Sequence, residues 1–173
     1  DMFPENHPYT QTLHVVDEEF GGSKTINIMF EGDIKNPNVL KNIDRYEKEL
    51  EAMPEIGSVM SIATVIRIMS RAINDSTDKY YDRIPDSREA VAQYLELYSM
   101  SGDPEDFENM VDFEYRKALM NIQYKAHDMV TLNRVENTIL EMLKEDEYVA
   151  VIGGYSLIDK ELSEAITRGQ IYS

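Results

Sequence analysis

The sequence predicts an α+β fold in which a β-α-β unit occurs twice, and three observations lead there. Two runs alternate apolar and polar residues as half-buried strands do: Thr25-Ile26-Asn27-Ile28-Met29-Phe30-Glu31 and Leu119-Met120-Asn121-Ile122-Gln123-Tyr124-Lys125. Each run leads into apolar residues at helical spacing, Val39, Ile43, Tyr46, Leu50 and Met53 after the first, and Leu132, Val135, Ile139 and Met142 after the second. A second strand candidate follows each helix, at 56–62 and 148–152, so the whole pattern recurs at an offset of roughly 93 residues. Two such units in one chain fit a single split-βαβ, ferredoxin-like sheet with helices on one face. The halves run from about 24 to 73 and from 118 to 173, separated by a helical insertion of about 74–117, in one domain covering 1–173.

Taken in order, Asn6-His7-Pro8 starts a short amphipathic helix through Leu13, Val16 and Phe20, which Gly21-Gly22-Ser23 ends. After the first strand, Gly32-Asp33 turns the chain, and Asn36-Pro37 supplies an N-cap followed by proline in the first turn. Pro54 stops that helix. The second strand leads into a helix over 63–73 carrying Val65, Ile66, Met69 and Ala72. In the insertion, Asp86 and Glu89 are spaced for a capping box opening a helix with Val91, Tyr94, Leu95 and Tyr98, closed by Gly102. Asp103-Pro104 begins another short helix with Phe107 and Met110. In the second half Asp128 caps the helix of Leu132 and Val135, and Gly153-Gly154 breaks the last strand before a terminal helix from about Leu157.

Composition bounds the function. A chain of 173 residues, 42% hydrophobic and 29% charged, buries a proper core and is not disordered throughout. Its net charge of −16 argues against nucleic acid, which needs clustered Lys and Arg, and against anionic lipid headgroups. The absence of cysteine rules out disulfides, thiolate nucleophiles and sulfur-ligated metals. No apolar run reaches transmembrane length and no signal peptide opens the chain. A start at Asp1 rather than Met, and a last helix pattern ending at Gly169, read as a segment excised from a longer protein.

Residues with chemistry are sparse, and no catalytic, metal-binding or cofactor-binding residue is assigned. His7, His14 and His127 lack metal-ligand spacing, since zinc needs three or four ligands. No G-x-S-x-G elbow presents a serine, and Gly21-Gly22-Ser23 and Gly153-Gly154-Tyr155-Ser156 are too short for a phosphate-binding loop. Asp75, Asp78, Asp82 and Asp86 form an acidic stretch without the spacing or closing Glu of a calcium loop. No enzyme activity is expected, and a hydrolase is the weakest reading. Ten methionines and eleven tyrosines stand out instead, with Tyr80, Tyr81, Tyr94, Tyr98, Met100 and Met110 in the insertion. Such side chains can line a cleft for hydrophobic cargo, although ordinary packing of the insertion on the sheet is the simpler reading.

Phe20-Gly21-Gly22-Ser23, Gly32-Asp33, Asn36-Pro37, Pro54 and Ser58-Val59-Met60-Ser61-Ile62 follow one another as in a known family. The series continues through Ile84-Pro85-Asp86, Gln93-Tyr94-Leu95, 112–116, Gly153-Gly154 and the terminal Gln170 to Ser173. In this order the motifs resemble the large extracytoplasmic loop of resistance-nodulation-division (RND) superfamily exporters, closest to MMPL-type predicted exporters. The resemblance implies a porter domain of a membrane protein, joined to transmembrane helices of the same parent chain and lying on the periplasmic or extracellular side. It implies proton-driven transport of lipid-like or hydrophobic cargo, and a homo-oligomer is possible for the full transporter. Phe3-Pro4 and the C-terminal residues favour the second of the two large loops. The family's proton-relay residues lie in transmembrane helices, so none maps onto this chain. A stand-alone acidic interaction or sensor module on the same scaffold is the alternative.

Overall fold

The computed structural model describes residues 23–101, 104–154 and 170–172. The alternating run forms β1 (Ser23–Glu31), and helix α1 (Pro37–Glu51) follows. Asn36 caps α1 by accepting a hydrogen bond from the Asn38 amide at 2.9 Å, with Pro37 at the position where a missing N–H costs nothing. Strand β2 (Ile56–Met60) and helix α2 (Ile62–Ile73) complete the first half. The insertion contributes α3 (Arg88–Ser101) and α4 (Pro104–Met110). The second half is β3 (Lys117–Lys125), α5 (Met129–Leu143) and β4 (Val149–Gly153), with β5 (Gln170–Tyr172) at the end.

One sheet holds the strands in the order β2-β3-β1-β4-β5. The first four run antiparallel to their neighbours, and β5 lies parallel to β4. Because β3 separates β1 from β2 and β1 separates β3 from β4, α1 and α5 each cross between strands that run the same way. Period-two alternation then decides the core. Ile26, Ile28 and Phe30 of β1 and Ala118, Met120, Ile122 and Tyr124 of β3 point to one face and are buried. Both crossover helices pack there: the Tyr46 ring of α1 stacks on Phe30 at 6.1 Å, and the Tyr124 hydroxyl donates to Glu136 of α5 at 2.7 Å.

The opposite face is half-buried and polar at its centre. Asn121 donates to Asn27 at 2.7 Å, Gln123 to Asn121 at 2.9 Å and Thr25 to Gln123 at 2.9 Å. Met29, Leu119 and Val151 are its apolar residues on the three inner strands.

The second set of elements restarts 94, 92 and 93 residues after β1, α1 and β2 respectively. Phe30 and Tyr124 are each the eighth residue of their strand, and Asp44 and Glu136 each the eighth of their helix.

Several boundaries differ from the sequence-based expectation. The second strand stops at Met60, and Ile62 begins α2, because Ser61 caps that helix through the Ala63 amide while Thr64 accepts from the Ser61 amide. Ser87 rather than Asp86 opens α3, accepting from the Ala90 amide at 3.1 Å, and Asp86 is engaged by Lys41 and Arg83 instead. The fourth strand is shifted one residue later than 148–152. The fifth strand, beside β4, is additional. Between α2 and β3 lie α3 and α4, and Val91 and Leu95 of α3 join the same apolar cluster as the sheet and its crossover helices. The helices expected from Asn6 and from Leu157, and the Gly102 stop, lie outside the described residues. Among the described residues no helix is long and apolar enough to cross a membrane.

Gly154 sits where the chain leaves β4, with φ at +93° and space for a Cβ only 2.3 Å from the Thr25 carbonyl oxygen. Gly153 has nothing within 4 Å of that position. Gly154→Ala is therefore expected to destabilise by more than about 1 kcal/mol and Gly153→Ala by much less. Equal denaturation midpoints for the two variants would contradict this.

Candidate functional site

An open, largely apolar groove lies where the chain passes from α4 into β3. Helix α4 ends at Met110, and Val111 then makes a single antiparallel bridge to Ala118. Asp112 turns the chain directly into β3: its Oδ1 accepts from the amides of Arg116 and Lys117, both at 2.8 Å. Between this connection and the neighbouring Met29–Leu119 pair is a groove of about 220 Å³. Met29, Met110, Val111, Ala118 and Leu119 supply its apolar lining, with Asp112 and Lys117 among its polar residues. A surface of this kind favours apolar groups by excluding water from alkyl surface, each buried methylene contributing about 0.8 kcal/mol.

A second depression, of about 400 Å³, lies between α1 and the α5–β4 connection. Its centre is a closed polar lock. Asp146 accepts from the Tyr46 hydroxyl, from Asn42 at 2.7 Å and from the Tyr148 amide at 2.7 Å. Burial, reinforced by Asp146, pushes the Tyr46 hydroxyl far above the ordinary tyrosine value, so it remains a protonated donor. The lock joins the two halves and leaves Asp146 committed to it.

Beneath α1 and α2 lies a buried ionic cluster. Glu47, fully buried, accepts from Ser61, from Thr64 at 2.6 Å and from Arg67 at 2.9 Å. Arg67 also approaches Asp44 at 2.8 Å, an ion pair by distance that is not aligned as a hydrogen bond. Burial works against the charge on Arg67, but Asp44, Glu47 and Asp82 outweigh it and raise its pKa above the ordinary guanidinium value. Asp82, held at φ +56°, takes Arg71 at 2.6 Å and so ties the loop after α2 to this cluster. The start of α3 is pinned to the first half by Arg88–Asp33 at 3.1 Å and, two residues earlier, by Asp86–Lys41 at 2.7 Å.

The residues singled out in the sequence fall in separate places. His127 is exposed beside Asp128, and His7 and His14 lie outside the described residues. Asp75 caps Thr77, Asp78 accepts from the Tyr80 amide, Asp82 serves the arginines and Asp86 serves Lys41, so the acidic stretch converges on no point. Among the described residues no group of three acidic or histidine side chains is placed to hold a metal. Of the insertion's tyrosines and methionines only Met110 lines the apolar groove. Tyr94 is packed, Tyr80 lies against Lys79 and Arg83, and Met100 is exposed. Ordinary packing therefore describes Tyr94, whereas Tyr80 and Met100 are exposed and form no cleft with it. Met29 and Leu119, which the sequence analysis left unassigned, carry the groove. Glu47 and Glu136 were not singled out in the sequence either, although each lies at helical spacing from a core residue, Ile43 and Ile139.

No family model matches the chain, and no curated protein or solved structure matches it.

Removing one partner of the buried cluster leaves an uncompensated charge, so Arg67→Met should cost about 3 kcal/mol or more. The double variant Glu47→Gln/Arg67→Met should lose less than Arg67→Met alone, as measured by urea denaturation; a larger loss would refute the pairing. Arg88, through its hydrogen bond, holds the Asp33 carboxyl below the ordinary aspartate range. The stabilisation from that ion pair is therefore full above the unfolded-state pKa and disappears as pH falls through the lower folded value. It is small because the pair is exposed. Arg88→Ala should return the Asp33 titration, followed by carboxyl NMR, to the ordinary range.

Proposed function

We propose that this chain is the extracytoplasmic substrate-handling domain of a proton-driven RND/MMPL-type exporter whose cargo is lipid-like or otherwise hydrophobic. The observation that carries the reading is the apolar groove formed by Met29, Met110, Val111, Ala118 and Leu119 at the junction of insertion and sheet. The strand order β2-β3-β1-β4, with both crossover helices on one face, supports a split-βαβ, ferredoxin-like porter architecture. Matching positions at offsets of 92 to 94 residues support a duplicated βαβ unit within it. The ordered motifs from Phe20 to Ser173 supply the link to this superfamily in particular.

In this reading the domain acts mechanically. Cargo enters the groove through its alkyl portion, and a shift of the insertion against the sheet opens or closes the space between Val111 and Met29. Each methylene contributes little, so binding is weak enough to release. The domain's partners are the transmembrane helices of its parent chain, which carry the proton-coupled step, and the assembled transporter accommodates a homo-oligomer. The rival reading, a stand-alone acidic interaction or sensor module, uses the same scaffold, because fold alone does not decide function.

Two measurements separate them. Apolar runs of about 20 residues flanking this segment in the parent reading frame are expected for the exporter, and a frame without such spans would overturn it. Met29→Glu and Leu119→Glu place charge on the groove wall at half-buried positions. Each should lower cargo export by the reconstituted parent protein several-fold while the variant domain keeps its circular dichroism spectrum. Unchanged export in both variants would remove the groove from the mechanism.

A further inference from the structure

Helix α4 forms one wall of the apolar groove and has little stability of its own. Its seven residues include acids at 105, 106 and 108 and no cation, so no opposite-charge pair within the helix supports it. A helix this short does not persist alone in water and depends on its tertiary contacts. Two apolar side chains anchor it. Met110 is buried in the core, and Phe107 is wedged between two rings, Tyr98 of α3 at 5.5 Å and Tyr115 of the following turn at 6.3 Å.

The chain changes character between Val111 and Asp112. The Val111 amide points back into the helix, donating to the Phe107 carbonyl at 3.3 Å, and a single bridge to Ala118 joins Val111 to β3. From Asp112 onward the backbone is cross-tied. The Asp112 carboxylate accepts from the amides of Arg116 and Lys117, its amide donates to the Lys117 carbonyl, and the Tyr115 amide donates to the Asp112 carbonyl. Beyond β1, the Gly32 amide donates to the Arg116 carbonyl at 2.9 Å and the Ile34 amide to the Tyr115 carbonyl at 3.1 Å. The Lys35 ammonium lies 4.4 Å from the centre of the Tyr115 ring. Tyr115 is thus a fixed post, and Phe107 is what leans against it. Val111 and Met110 face Met29 and Leu119 across the groove, so a displacement of α4 changes the width of that groove directly.

We propose that α4 is a lid over the groove, hinged between Val111 and Asp112 and latched shut by Phe107 between Tyr98 and Tyr115. The lid rests on the cargo reading for its purpose, since it covers the space assigned to alkyl chains.

Amide hydrogen exchange of the whole chain, followed by NMR, reads the hinge residue by residue. Local opening leaves the Val111 amide at least about tenfold less protected than the neighbouring Asp112 amide. Phe107→Ala removes both ring pairs and should speed Val111 exchange by about tenfold or more, with the amides of Asp112, Tyr115 and β1 unchanged. Phe107→Leu keeps apolar bulk without a ring and should speed it less. The cargo probe is 1-octanol, which is uncharged and escapes repulsion by the acidic chain. A ligand that binds the closed state alone, at twice its dissociation constant, slows exchange through opening about threefold. The same titration should move the amide signals of Met29 and Leu119.

Equal protection of Val111 and Asp112 would overturn the lid. So would Val111 exchange unaltered in both Phe107 variants, or a loosening that spreads equally into Asp112 and β1, since α4 would then open only with the whole fold. If the latch results hold but 1-octanol changes neither Val111 exchange nor the Met29 and Leu119 signals, the lid stands and the cargo reading of the groove falls.

Discussion

The pairing of β1 with β3 is the constraint on which the rest of this structure depends. The two strands are antiparallel along their whole length, from Ser23 opposite Lys125 to Glu31 opposite Lys117. This register sets Ile26 against Ile122, Ile28 against Met120 and Phe30 against Ala118, all on the face that receives α1 and α5. Because successive side chains point to opposite faces, a slip of either strand by one residue would turn its apolar set outward and bring its polar set under the helices. Asn27, Asn121 and Gln123 would then lose the cross-strand bonds they make on the outer face. The apolar groove is a by-product of the same register, since it alone makes Met29 and Leu119 neighbours on that outer face.

Buried carboxylates give the helical layer its specificity. Asp44 and Glu136 occupy the same place in α1 and α5, yet they are used differently. Glu136 receives the hydroxyl of Tyr124 from the sheet below, whereas Asp44 and Glu47 turn sideways to Arg67 of α2. Desolvating these charges is costly, and an apolar cluster of equal volume could be as stable. What the ionic version adds is orientation: Ser61, Thr64 and Arg67 can satisfy Glu47 together only when α2 starts where it does. The cap that ends β2 at Met60 and the ion cluster are therefore one device, joined through Ser61.

Local chemistry made much of this architecture readable in advance. Alternation announced β1 and β3, and Asn36 and Asp128 announced the helix starts, because each signal acts within a few residues of itself. Ile62 was harder, since an apolar residue after a strand pattern fits either element until Ser61 is seen to cap. Asp86 lost the capping role to Ser87 because Lys41, distant in sequence, draws its carboxylate away. A strand of three residues such as β5 carries no periodicity to detect and exists only through its parallel neighbour β4. The groove was hidden for the same reason. Which apolar side chains end up unburied is decided by register and by a turn's hydrogen bonds, neither of which is a property of the run itself.

The attachments of the insertion differ in strength, and this bears on how the domain could work. Helix α3 is anchored by Val91 and Leu95 inside the core, so the exposed pairs Asp33–Arg88 and Lys41–Asp86 orient it without being what holds it. The loop after α2 is fastened by Asp82 to Arg71 and by the Ser70 hydroxyl to the Tyr80 carbonyl at 2.6 Å. Helix α4 is held by Met110 in the core and by Phe107 packed against it. It is seven residues long, its Phe107 is half-buried against Tyr98 and Tyr115, and it packs on the start of β3. If the groove opens to admit a ligand, α4 is the wall that moves at least cost: it uncovers Met110, whereas shifting α3 would expose Val91, Tyr94 and Leu95 and shifting β3 would break the central pairing. The turn at 112–117 stays with β3 during such a motion, since Gly32 and Ile34 bind it from the β1 side.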